Sequence, residues 1–271
     1  MLFNYIEWRV NPEIFPDLLP VRWYGLLFAC AFFFGYIILM RIFKYEKLPV
    51  KLLDSLATYV FIATIIGARF GHVFFYEPAE FLDNPISILY IWQGGLASHG
   101  AAIGIMVGVW LFSKRNDKPY LWTLDRLVIV VALGGFFIRM GNLMNSEIYG
   151  IPTTLPWGFI FVNDLLPANA EMLPRHPTQI YEGLSYLALF FFLLKYYWMK
   201  NGKPKPGFLF GVFLIVLFTA RFLIEFIKTE QVDFEKGMPL NMGQLLSLPF
   251  IIAGLIIMLR KEKNSEKNAV G

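Results

Sequence analysis

One cysteine, Cys30, in 271 residues rules out an internal disulfide and any cysteine-rich metal site. Three histidines, far apart in the chain, do not make a zinc site. No glycine-rich phosphate loop follows a strand, and no serine nucleophile elbow is present. Charge is scarce as well. Charged residues make up 16% of the chain, against about 25% in an ordinary soluble domain. Residues 1–21 are mixed and carry Glu7, Glu13 and Asp17, so no cleavable signal is expected. Leu27-Phe-Ala-Cys30 resembles a lipoprotein cleavage box, but the lead-in from Arg22 is too short, and it reads as coincidence within the first helix.

What is there is apolar, at 57% of residues. A spanning helix needs about 20 mostly apolar residues. Seven stretches qualify: 22–42, 54–76, 95–113, 124–142, 178–199, 207–227 and 242–260. Proline-rich breakers separate them, including Pro49, Pro119, Pro204, Pro206 and Pro239. The expected class is an all-α polytopic membrane protein, residues 1–271 forming a single integral membrane domain. The net charge of +4 then reflects topology rather than nucleic-acid binding.

Lysine and arginine set the orientation. Arg41, Lys44, Lys47, Lys51, Lys114, Arg115, Lys118, Arg126, Lys195, Lys200, Lys203, Lys205, Arg260, Lys261, Lys263 and Lys267 fall on one side. Only Arg9, Arg22, Arg175, Lys228 and Lys236 fall on the other. The positive-inside rule therefore puts the N-terminus outside and the C-terminus in the cytoplasm, as an odd number of spans requires. The longest outer segment, about 143–177, is expected to form a cap between the fourth and fifth helices.

Arg69, Arg139 and Arg221 remain, all inside apolar stretches. A charge at mid-membrane costs roughly 3 kcal/mol or more, so such residues face a partner, a cavity or an anionic ligand. All three fall in the outer portions of outward-running helices. Arg139, Asn142, Asn145 and Glu147 crowd the end of the fourth helix, and Arg221 and Glu225 share one face at i,i+4. His99 lies near the outer start of the third helix, ahead of a stripe formed by Gly100, Gly104 and Gly108. Plainer roles stand beside these. Arg221 and Glu225 could be a packing ion pair. Arg69, within Gly67-Ala-Arg-Phe-Gly71, could snorkel to the interface. His99 could be structural, and the charged tail 260–271 is expected to fray.

Guanidinium groups match phosphate geometry, and in an outer leaflet that phosphate is most simply a phospholipid head group. Arginine also stabilises charge developing on a departing phosphate. A neutral histidine can take a proton from an incoming nucleophile, and a thiol is the easiest to activate. The residues alone support a phospholipid-handling site that binds or transfers a group. A phospholipid or anion transporter would predict polar residues continuing into the cytoplasmic half, or an internal repeat. Neither is visible. A purely structural role would explain ion pairs but not ordered motifs.

Five motifs sharpen this: Trp23-Tyr24-Gly25; Ser98-His99-Gly100; Arg139-x-Gly141-Asn142-x-x-Asn145-x-Glu147-x-x-Gly150; Arg175-His176-Pro177-Thr178-Gln179-x-Tyr181-Glu182; and Arg221-x-x-x-Glu225. Together, in order over about residues 20–260, they resemble the prolipoprotein diacylglyceryl transferases. The resemblance implies transfer of diacylglyceryl from phosphatidylglycerol to the lipobox cysteine thiol of prolipoproteins. The products are a thioether and glycerol 1-phosphate. No cofactor or metal is implied, and the setting is the bacterial inner membrane, with the active site towards the outer leaflet. By matching position, Arg139 would bind and polarise the phosphate, Arg221 would support it, and His99 would be the thiol's base. Tyr24, Asn142, Asn145 and Glu147 would line the head-group pocket, and Glu225 would orient Arg221. Arg69 and His176 complete the expected lipid-binding set. The chain departs from the pattern at Ala101, at Ile138 and at Leu217, where tyrosine is common.

Overall fold

A computed structural model of the chain describes residues 5–16, 19–75, 83–90, 95, 97–163, 172–229 and 239–260. Among them are seven α-helices: α1 (Trp23–Tyr45), α2 (Val50–Phe75), α3 (Ser98–Arg115), α4 (Tyr120–Met144), α5 (Thr178–Met199), α6 (Phe208–Glu225) and α7 (Met242–Leu259). Each of the seven expected segments holds one of these helices, though the helix expected from residue 95 begins only at Ser98. Several run past the apolar stretch at one end or both, because hydropathy marks only the part able to sit in lipid. α1, for example, continues past residue 42 to Tyr45, and Lys44 lies in its last turn, where the helix dipole favours a cation.

Five helices, α1, α2, α4, α6 and α7, are long and apolar enough to cross a membrane. The chain is a membrane protein on that basis. The other two are more polar. α3 carries Ser98, His99, Lys114 and Arg115, and α5 carries Gln179, Glu182 and Ser185.

The expectation of an all-helical chain needs one correction. Four short strands are present: β1 (Ile6–Trp8), β2 (Glu13–Phe15), β3 (Leu19–Arg22) and β4 (Phe159–Phe161). β1 pairs parallel with β4, with Ile6 opposite Phe159 and Trp8 opposite Phe161. β2 pairs antiparallel with β3. They arise outside the apolar segments, where backbone groups need partners that no helix supplies.

The chain divides into two compact units, one of residues 1–35 with 128–271 and one of residues 36–127. In the first unit, Leu143, Phe159 and Phe161 form a small core joined by Trp8, Met140, Tyr149 and Ile180. The Trp8 indole donates to the Leu143 carbonyl at 2.9 Å, a second bond to an acceptor at the end of α4 that also takes the Ser146 amide at 3.0 Å. α7 starts on a capping box. The Gln244 amide donates to Asn241 Oδ1 at 2.9 Å, and the Asn241 amide donates to Gln244 Oε1 at 3.0 Å. Phe218 of α6 stacks on Phe250 of α7, with ring centres 4.3 Å apart.

In the second unit, α2 and α3 meet backbone to backbone. A methyl placed on Gly100 would lie 2.7 Å from the Gly71 Cα and still closer to the Gly67 carbonyl oxygen. Small residues allow this approach, which in lipid supplies the van der Waals contact that holds helices together. Beside the seam runs an apolar groove of about 600 Å³, bordered by Ile62, Ile66, Phe70 and Phe74 on α2 and by Ile103 and Val107 on α3. At the other end of this unit Arg126 donates from Nε to Glu46 Oε1 at 3.0 Å and lies over the Trp122 ring at 4.3 Å.

The cap expected at 143–177 is described for 143–163 and 172–177. There it carries β4 and pairs Arg175 with Phe159 in both directions, at 2.9 and 2.8 Å. Residues 164–171 lie outside the described residues, as do Tyr76, Trp92, Lys236 and all but Arg260 of the tail.

Candidate functional site

The centre of the first unit is a network of charges around Glu182, on the second turn of α5. Glu182 has no exposed side-chain surface. Its Oε2 meets Arg139 Nε, from the last turns of α4, and its Oε1 meets Lys228 Nζ at 2.7 Å. Lys228 also reaches Glu225 Oε2 at 3.2 Å. Glu182 makes these contacts as ion pairs rather than as well-angled hydrogen bonds. Two cations and two carboxylates thus cancel in charge, which is the condition for burying any of them.

From Arg139 the network runs outward. Arg139 Nη1 donates to Asn142 Oδ1 at 3.1 Å. Asn142 Nδ2 donates to Glu147 Oε1 at 2.9 Å, and Asn145 Nδ2 donates to the same oxygen at 3.2 Å. The Tyr186 hydroxyl, one helical turn past Glu182, is hydrogen-bonded to Arg139. Tyr24, near the start of α1, lies within electrostatic reach of Arg139 and Glu147 and packs against Gly141. The spacing of the motif explains this. Arg139 and Asn142 are i,i+3 on one helical face, and the chain leaves the helix just after Met144, so Glu147 can fold back.

That turn is under backbone strain. Ser146 has φ 54° and Ile148 has φ 58°. A β-branched residue in the left-handed region is a genuine outlier and costs of order 1–3 kcal/mol. The start of α5 holds the turn. Thr178 Oγ1 donates to the Ile148 carbonyl at 2.9 Å, and Gln179 Nε2 donates to the Glu147 carbonyl at 2.6 Å. Both side chains are fully or almost fully buried.

Gly150 closes the same region. Its amide donates to the His176 carbonyl at 2.8 Å, and it bridges to Lys228. A methyl there would lie 2.7 Å from His176 Cβ and closer still to the Ile227 carbonyl oxygen, so only glycine fits. Beside it, His176 Nδ1 is 3.3 Å from the Tyr181 hydroxyl, which also accepts from the Trp157 indole at 2.9 Å. Burial holds the His176 imidazole below its usual pKa of 6.5, so it is neutral at pH 7. The Arg175 guanidinium lies over the Tyr149 ring at 4.9 Å.

Seven expected residues, Tyr24, Arg139, Asn142, Asn145, Glu147, Arg221 and Glu225, thus fall in one unit around one network, with His176 at its edge. One expected contact does not form. Arg221 and Glu225 make no ion pair. The chain turns directly after α6, with the Lys228 amide donating to the Glu225 carbonyl at 3.3 Å, and this swings Lys228 over the carboxylate instead. Arg221 is half-buried and lies within electrostatic reach of Glu182 and Tyr186.

The second unit holds the other two. Arg69 directs Nε to the Ile88 carbonyl at 2.9 Å, Nη1 to the Gly95 carbonyl at 3.2 Å and Nη2 to the Ser87 carbonyl. It ties the end of a short 3-10 helix, Pro85–Leu89, to α2. His99 is exposed in the first turn of α3.

Sequence reasoning missed Glu182, Lys228, Tyr186 and Gln179 as site residues. Glu182 carried a usable signal, since it is an acid inside an apolar span, subject to the same energetic objection as the arginines. Lys228 carried none, because it sits where an outer-loop lysine belongs. No cluster of three or more metal-ligating side chains is present among the described residues.

Comparison with known proteins places this arrangement. The family described as prolipoprotein diacylglyceryl transferase matches residues 12–260. A protein of Tolumonas auensis named phosphatidylglycerol–prolipoprotein diacylglyceryl transferase is 46% identical over 262 residues, covering 96% of this chain and 99% of its own. Proteins of the same name from Chloroherpeton thalassium and Porphyromonas gingivalis are 42% and 47% identical, with coverage of 97% and 96% in both directions. With a family match across nearly its whole length, and relatives far above 30% identity, the chain belongs to the prolipoprotein diacylglyceryl transferase family.

Proposed function

We propose that this protein transfers the diacylglyceryl group of phosphatidylglycerol to the lipobox cysteine thiol of a prolipoprotein. The observation that carries the reading is the full-length match to relatives bearing that name. The charge network is the chemistry such a reaction needs. The thiolate attacks the glycerol carbon that bears the phosphate. A C–S thioether forms, the C–O bond breaks, and glycerol 1-phosphate leaves with the electron pair.

Arg139 binds and polarises the phosphate through the donors that Glu182, Asn142 and Tyr186 do not take. Arg221, which makes no ion pair with Glu225, supplies the second positive charge. Both stabilise negative charge as it develops on the departing group, where removing one such donor costs about 10²–10³ in rate. Glu147, Asn142, Asn145 and Tyr24 line the head-group pocket, a polar surface suited to glycerol hydroxyls. His99 takes the thiol proton. Arg69 is assigned to the fold, because backbone carbonyls occupy its guanidinium.

The chain is a single membrane domain with seven spans, its N-terminus outside and its C-terminus cytoplasmic. It sits in the bacterial inner membrane and works on the outer leaflet. The strong asymmetry of lysine and arginine between the two sides supports that orientation.

Purified protein incubated with phosphatidylglycerol and a lipobox peptide is expected to release glycerol phosphate and yield a thioether-linked peptide. Arg139→Ala is expected to abolish it. Movement of lipid across vesicles with no thioether product would instead favour an anion or phospholipid transporter.

A further inference from the structure

Lys228 stands outside every motif, yet its side chain is 2% exposed and lies between two carboxylates. An unpaired buried ammonium is costly, so a lysine is retained in such a place only with partners. Its backbone is fixed too. Gly150 and Lys228 form a bridge, the Ile151 amide donates to the Ile227 carbonyl at 2.9 Å, and the Thr229 amide donates to the Tyr149 carbonyl at 3.4 Å. The segment 149–151, just past Glu147, therefore holds Lys228 in place.

Glu182 has two oxygens and Arg139 offers a fork. Left to themselves, a carboxylate and a guanidinium pair through both oxygens. Here Lys228 takes Oε1, which leaves Oε2 alone for Arg139 Nε. We infer that Lys228 is a positioning residue. It withholds one oxygen of Glu182 from Arg139 and so keeps part of the Arg139 guanidinium open to the lipid phosphate. It also sets the local charge. Arg139, Lys228, Glu182 and Glu225 sum to zero, and without Lys228 the remaining three sum to −1, which repels an anion. The inference rests on Arg139 binding the lipid phosphate.

Two consequences separate this role from simple packing. Lys228→Met raises KM for phosphatidylglycerol by about 10- to 30-fold, the effect of one unit charge several ångströms away at an effective dielectric near 20, while kcat changes less. Lys228→Arg keeps the charge and recovers most of that loss. The effect also runs through Glu182. In a Glu182→Gln background, the Lys228→Met change restores neutrality rather than breaking it, and its further effect on KM shrinks to within about threefold.

The test is a double-mutant cycle. Wild type, Lys228→Met, Glu182→Gln and the double variant are purified in detergent and checked for cooperative thermal unfolding. KM and kcat are then measured with phosphatidylglycerol in mixed micelles and a lipobox peptide. Lys228→Gln, which keeps a donor but drops the charge, replaces Lys228→Met if that variant does not purify folded. A large KM effect that collapses in the Glu182→Gln background supports the inference. An equal effect in both backgrounds, or an unchanged KM in a folded variant, overturns it. Full turnover by Arg139→Ala would instead remove the functional reading beneath it, whatever Lys228 does.

Discussion

Arg139 Nε and Glu182 Oε2 meet in the middle of the first unit, with Arg139 13% exposed at its side chain and Glu182 not exposed at all. Two adjacent helices, α4 and α5, are thereby joined by a charge pair in a part of the chain too apolar to hold either charge alone.

A first expectation concerns the shape of that cation. Arg139→Lys keeps the charge but replaces a rigid fork by a point charge on a flexible stem, which cannot reach Glu182, Asn142 and Tyr186 together. Turnover is expected to fall by about 10²-fold, near the effect of losing one transition-state donor. Steady-state release of glycerol phosphate measures it. Near-wild-type turnover would mean that charge alone suffices and that the Asn142 contact is incidental.

Gly150→Ala is expected to destabilise the fold. Its methyl would press on the Ile227 carbonyl, which is backbone and cannot swing away. Overpacking of this kind costs about 1–3 kcal/mol. The thermal midpoint in detergent is expected to drop, and activity with it, because the same segment holds Lys228 through the Gly150–Lys228 bridge. A variant as stable as wild type would show that the 149–151 and 227–229 segments can separate freely.

Arg69→Ala separates fold from chemistry. The Ile88 and Gly95 carbonyls, both part-buried, lose the guanidinium donor, while the Ser87 carbonyl keeps the Tyr90 amide at 3.0 Å, so the loss is about 1–3 kcal/mol in all. The folded yield is expected to fall, while kcat/KM per folded molecule stays within a few-fold of wild type. A folded Arg69→Ala protein that no longer binds phosphatidylglycerol would return this residue to the lipid site.

His176 gives a pH dependence. Burial lowers its folded pKa below the ordinary 6.5, so between those two values the folded protein binds fewer protons than the unfolded chain. Its contribution to stability is therefore complete above pH 6.5 and is lost as pH falls through the folded value. The thermal midpoint of wild type relative to His176→Gln is expected to decline on acidification below pH 6.5. The imidazole proton resonances should titrate with a midpoint under 6.5. A midpoint above that value would mean the ring gains an anionic partner instead.

Much of the fold was legible because its signals are local. A stretch such as 178–199 can be recognised by summing residues, and each of the seven stretches holds a helix. Arg139, Asn142 and Glu147 could be grouped because helical spacing puts the first two on one face and a motif fixes the third. The strands were not legible. β1 lies more than 150 residues from β4, and three residues carry too little pattern to name a partner. Arg69 could not be settled either, since the carbonyls it binds are 18 to 26 residues away, in the short 3-10 helix and at Gly95.

The sequence by itself determined that this is a membrane protein, where its charges are anomalous, and which motifs carry the family. Hydropathy, charge and motif order are all properties of residues along the chain. Only the tertiary structure decided which cation meets which carboxylate. A turn after α6 puts Lys228 on Glu225 where Arg221 was expected, and α5 brings Glu182 to both Lys228 and Arg139. Ion pairing in a low-dielectric interior depends on distances of a few ångströms, and those are set by how the helices pack and where their connections turn, which spacing along the chain does not encode.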